Sequence, residues 1–86
     1  MKGFCKELLE FLHNEYADSY QFDVTVHQSM SKITAVLLVK YGKGYIEMLD
    51  RDLMEWLYEL YCKNEYIEEQ KMYKWQYELV DLIEGG

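Results

Sequence analysis

The chain has 86 residues, half of them hydrophobic and 16% aromatic, and a formal net charge of −7. That describes one small domain, residues 1–86, with enough apolar mass to pack a core; no apolar run approaches the ~20 residues that span a bilayer. A negative body repels phosphate, so direct nucleic-acid binding and attachment to an anionic membrane are both disfavoured.

The opening segment, MKGFCKELLEFL, mixes charges among its apolar residues and does not read as an export signal. Cys5 and Cys62 make neither a CxxC pair nor a zinc spacing, so reduced cytosolic thiols are expected. Over 4–16, Phe4, Leu8, Phe11, Leu12 and Tyr16 recur at helical spacing, with Gly3 a modest cap and 14–20 a fraying end. Lys6, Glu10, His13 and Asn14 fall on the opposite face, where His13 has no second ligand beside it.

Residues 22–27 alternate with period two and predict a half-buried strand, with Phe22, Val24 and Val26 inward. Asp23, Thr25 and His27 then form the wet face; the row resembles a catalytic set but has no Ser or Cys nucleophile beside it. After a turn at 28–31, residues 32–41 are apolar on both faces through their middle, the pattern of a central strand covered on both sides. The loop Tyr41-Gly42-Lys43-Gly44-Tyr45 predicts a hairpin with a left-handed glycine. It lacks the GxxxxGK[ST] spacing of a phosphate-cradling loop. Residues 45–49 make the third strand.

Asp50 is placed to cap the next helix, with Asp52 favourable in its first turn. Leu53, Trp56, Leu57, Leu60 and Tyr61 are expected to share its core face. Asp52, Glu55 and Glu59 are spaced i, i+3, i+7 and stack three carboxylates along the outside. Arg51 and Lys63 can each reach one of them by i,i+4 contact, which leaves the stripe negative. The apolar rhythm breaks near Asn64 and resumes in a new phase at Met72, Trp75, Leu79, Leu82 and Ile83, which predicts two helices; one long kinked helix is the alternative. On the last helix Tyr66, Tyr73 and Tyr77 fall together, with Gln70 and Glu69 near them. They either wall the core edge or, bordered by carboxylates, form a protein interface. Gly85-Gly86 reads as a helix stop.

The charge is lopsided. Residues 1–45 hold five Lys and five acids, whereas 46–86 hold four basic residues against eleven acids, so the second half carries the whole excess. No residue set has the makings of a nucleophile–base pair, a carboxylate dyad in a cleft or a metal centre, and no cofactor is implied. The expected product is an α+β domain of order α-β-β-β-α-α, with a three-stranded antiparallel sheet, strand order 1-2-3, packed by helices.

In layout, size and acidity, over nearly its whole length, the chain resembles the small phage-encoded anti-CRISPR proteins of that element order. The Lys/Glu/Tyr/Ile-rich, proline-free composition also fits low-GC bacteria and their phages. The resemblance implies a non-enzymatic, cytoplasmic inhibitor that imitates the charge of nucleic acid and occupies the DNA-contacting, PAM-reading surface of an RNA-guided Cas nuclease. It assigns no residue role. The higher Tyr and Trp content departs from the family and leaves room for an aromatic-anchored contact. From the residues themselves, the partner is a larger protein with a basic surface, met by Asp52, Glu55, Glu59, Tyr66, Glu69, Tyr73 and Tyr77. The alternative is a small regulatory or assembly protein that self-associates into a homodimer through the tyrosines.

Overall fold

The computed structural model describes residues 1–16 and 18–85. The expected fraying stretch includes position 17, and the terminal Gly86 lies beyond the other limit, so both fall partly or wholly outside the described residues. The elements are α1 (Lys2–Tyr16), β1 (Phe22–Gln28), β2 (Ile33–Tyr41), β3 (Gly44–Leu49), α2 (Arg51–Lys63), β4 (Tyr66–Ile67), β5 (Met72–Tyr73) and α3 (Lys74–Glu84). The fold is α+β, and β1-β2-β3 form one antiparallel sheet in sequence order. The pair β4-β5, a second and much smaller antiparallel sheet, was not expected.

The main sheet is built by two hairpins. Between β1 and β2, the Ser29 amide and hydroxyl both donate to the Lys32 carbonyl, at 2.8 and 3.1 Å. Between β2 and β3, Tyr41 pairs with Gly44 and Gly42 adopts φ +63°, the positive φ that a two-residue turn asks of its first central residue. A register shift between Leu37 and Leu38 leaves Met48 as an extra residue in β3, and Leu49 then turns inward opposite Leu37.

The molecule is a slab, 36 × 35 × 21 Å, and its thin dimension has room for one sheet and one layer of helices. Ala35, Leu37 and Val39 of β2 are buried beneath the helices, whereas Val36 and Leu38 on the other face are only half-buried. The expectation that β2 is covered on both sides is therefore corrected: the second face is shielded by neighbouring strands and has no layer over it. The cover is also short on the inner face. Val26 and Ile33, near the far end of the first hairpin, are 38% and 37% exposed.

Where the three helices meet they close an aromatic core. Phe4 of α1 packs against Tyr58 and Tyr61 of α2 and Trp75 of α3, with ring centroids 5.6, 5.1 and 5.6 Å apart. Leu8 and Leu12 of α1, Met54 and Leu57 of α2 and Leu79 of α3 complete the buried layer. Of the expected core face of α2, Leu57 and Leu60 are buried and Leu53 and Tyr61 pack against the core; Trp56 alone departs from it. Met54, Leu57 and Leu60 are buried, and Trp56 is 39% exposed. A 100° step puts Trp56 more than a quarter turn from the line through those three residues.

The ends of α2 are set as expected. The Asp50 carboxylate accepts from the Leu53 amide at 2.9 Å, a cap worth ~1 kcal/mol. Asn64, at φ 55° and ψ 38°, closes the other end, its amide donating to the carbonyls of Leu60 and Tyr61. The two cysteines are both free. Cys5 is buried, and burial pushes its thiol pKa up, while Cys62 is exposed. A thiol reagent is expected to titrate Cys62 alone in the native protein and both cysteines in denaturant. Two fast-reacting thiols in the native state would contradict this packing of α1.

Candidate functional site

The carboxylate stripe of α2 exists, with one change of partner. Asp52 and Glu59 are exposed, but the half-buried Glu55 is 2.5 Å from the Lys32 ammonium. The i,i+4 pairs expected from Arg51 and Lys63 do not form among the described residues; the ion pairs there are Lys32–Glu55 and Lys74–Glu65, the latter at 4.0 Å. The reason is tertiary. The turn after β1 lies beside the middle of α2, and Ser31, Lys32, Glu55, Tyr58 and Glu59 line one shallow hollow. The stripe thus presents two carboxylates, with a neutralised pair between them.

The tyrosine row changes more. Tyr66 and Tyr73 do not lie on a helix: Tyr66 opens the first strand of the small hairpin, Tyr73 closes the second, and they are paired directly across it. Their rings meet edge to face at 5.2 Å. Asn64 and Lys71 both take positive φ, which no helix running through 64–73 could accommodate. A spacing of seven places two residues on one helix face, but it also suits two residues paired across a turn. Glu69 sits exposed at the tip of that hairpin. Tyr77 lies inside α3 and lines a different hollow, with Met72, Val80, Asp81 and Glu84. The seven expected contact residues therefore spread over three surfaces: Asp52, Glu55 and Glu59; Tyr66, Glu69 and Tyr73; and Tyr77.

One concavity escaped the sequence reading. A groove of about 540 Å³ runs between α1, the end of α2 and the start of α3. Glu7, Glu10 and Asn14 stand along its α1 side at i, i+3, i+7, and Tyr61, Tyr73 and Trp75 are among the residues facing them. The Tyr61 hydroxyl donates to Glu7 Oε2. That bond, more than partial desolvation, raises the Tyr61 pKa, because ionising the phenol would forfeit it. At the other wall the Tyr73 amide donates to Gln76 Oε1 at 3.0 Å, which caps α3 and fixes the lip of the groove. The signal available in the sequence was the Glu7/Glu10/Asn14 spacing, the same i, i+3, i+7 pattern as on α2. The partner wall was not legible, because Tyr61 and Trp75 come from elements far along the chain.

The Asp23/Thr25/His27 row lies exposed on the uncovered face of the sheet. Among the described residues, no three His, Cys, Asp or Glu converge to hold a metal ion, and no helix is long and apolar enough to cross a membrane. In comparison with known proteins, no family model, no curated protein and no solved structure matches this chain.

Proposed function

We propose that this protein is a non-enzymatic, acidic binding protein that blocks a basic, nucleic-acid-binding surface of a larger protein. An RNA-guided Cas nuclease in a bacterial cytoplasm, met by a phage-encoded inhibitor, is the partner that the chain's size, acidity and α-β-β-β-α-α order suggest. One observation carries the reading: of the eleven acids in residues 46–86, ion pairs among the described residues engage Glu55 and Glu65. The remaining carboxylates, Asp52 and Glu59 foremost, keep their charge available on helix and hairpin surfaces. A groove lined with Arg and Lys for phosphates is the natural complement of such a surface. Exposed rings at Trp56, Tyr66 and Tyr73 add apolar anchor area around the charges.

Self-association through a single tyrosine row is the weaker reading, since Tyr73 and Tyr77 line separate hollows. The test is competition. A guide-loaded Cas nuclease is incubated with this protein before or after target DNA, and binding and cleavage are followed. Inhibition is expected only when the protein is added first, with affinity falling more than about tenfold between 50 and 200 mM salt, as rim charges are screened. Equal binding to the DNA-filled complex, or binding indifferent to salt, would overturn the proposal.

A further inference from the structure

We infer that the groove between α1, the end of α2 and the start of α3 receives an arginine side chain displayed by the basic partner. The inference rests on the function proposed above and deepens it by naming a seat and the group that fills it. Charge is the first support. The lining contains Glu7 and Glu10 and no Lys or Arg, and among the described residues neither carboxylate is in an ion pair. Tyr61 holds Glu7 by one oxygen, Oε2, which leaves Oε1 to accept from an incoming donor.

Aromatic surface is the second support. Phe11 and Tyr61 are half-buried and Tyr73 exposed at the edge of the groove, with the buried Trp75 behind them. Rings next to carboxylates favour a guanidinium over an ammonium. The guanidinium is planar, less strongly hydrated and able to stack while its fork of N–H groups bonds a carboxylate. Size is the third. At about 540 Å³ the groove falls within the range of ~300–1,000 Å³ typical of sites that bury a ligand, which leaves room for a long side chain still attached to its backbone. The hollow beside the α2 stripe, lined by Glu55 and Glu59, differs in charge: it also holds Lys32, which is already paired with Glu55.

The test needs no partner. The ¹⁵N-labelled protein is titrated with N-acetyl-arginine methylamide and with the matching lysine and citrulline compounds. The arginine compound is expected to bind with Kd about 1–10 mM, shifting the Trp75 indole N–H and the amides of Glu7, Glu10 and Gln76. The lysine compound should bind about fivefold more weakly, and neutral citrulline at least about tenfold more weakly. Glu7→Gln combined with Glu10→Gln keeps an acceptor for Tyr61, and should weaken arginine binding about tenfold with an unchanged melting temperature. The inference is overturned by any of three results: no saturation by about 100 mM, equal binding of citrulline, or shifts spread evenly over the α2 stripe and the groove. If arginine binding fails while the Cas complex is still captured, the groove is removed and the proposed function stands. If arginine seats in the groove but no nuclease is bound, the groove stands and the proposed function falls.

Discussion

Trp75→Ala is expected to destabilise the protein by about 3–5 kcal/mol, the range for truncating a large buried aromatic. Trp75 is 4% exposed and meets the rings of Phe4, Phe11 and Tyr61 at centroid distances of 5.6, 5.9 and 5.7 Å. It is thus the point where α1, α2 and α3 hold one another. A domain of 86 residues has a total stability of roughly 4–13 kcal/mol, so the variant should be marginal or unfolded at room temperature. Urea denaturation followed by circular dichroism measures the loss. Trp56→Ala is the control. That ring is 39% exposed on the outside of α2, and its removal should cost clearly less, about 1 kcal/mol. Equal losses from the two tryptophans would mean that α2 presents a different face to the core.

If the protein blocks a basic surface as proposed, the double reversal Asp52→Lys with Glu59→Lys is expected to weaken that binding by more than about tenfold and to leave the fold intact. Both residues are exposed, so nothing in the core depends on them. Each reversal replaces an attraction with a repulsion at the contact. Glu55 is better left in place. Its carboxylate meets Lys32 at 2.5 Å, and a lysine there would set two like charges together and confound binding with folding. Binding to the guide-loaded nuclease and thermal melting, measured on the same sample, decide the matter. Undiminished binding by a well-folded double variant would move the contact off α2, and the groove variants of Glu7 and Glu10 would then show whether it lies at the helix junction.

The three helices and the three strands of the main sheet were legible because each announces itself through a local period and a local terminator. Asp50 before an apolar helical run predicts a cap, and Asp50 Oδ1 accepts from the Leu53 amide. A phase break at Asn64 predicts an interruption, and Asn64 is left-handed. Gly42 predicts a turn with positive φ, and it has one. The tyrosine row failed because a spacing of seven is ambiguous between helix and hairpin when the intervening residues, IEEQKM, carry no Gly or Pro to mark the turn. The left-handed residue that makes the turn is Lys71, an unlikely type for that conformation, held by the pairing of Tyr66 with Tyr73 and Ile67 with Met72. The misplacement of Trp56 has a different origin. The apolar residues of α2 span a wider arc than the core can cover, and packing against the sheet and the other helices takes Met54 inward and leaves Trp56 at the edge.

The sequence alone determined the order of the three helices and of the three strands in the main sheet, the acidic excess after residue 45 and the outward position of Asp52 and Glu59. These follow from composition and from periodicities that act within a few turns of chain. The tertiary structure decided which charges are spent and where a partner could be held. Lys32 neutralises Glu55 across 23 positions, and Tyr61 reaches Glu7 across 54. The groove beside Glu7 arises where α1 meets the end of α2 and the start of α3, which no local pattern connects. Ion pairs and concavities depend on distances between remote elements, and those distances are set by how the aromatic core packs.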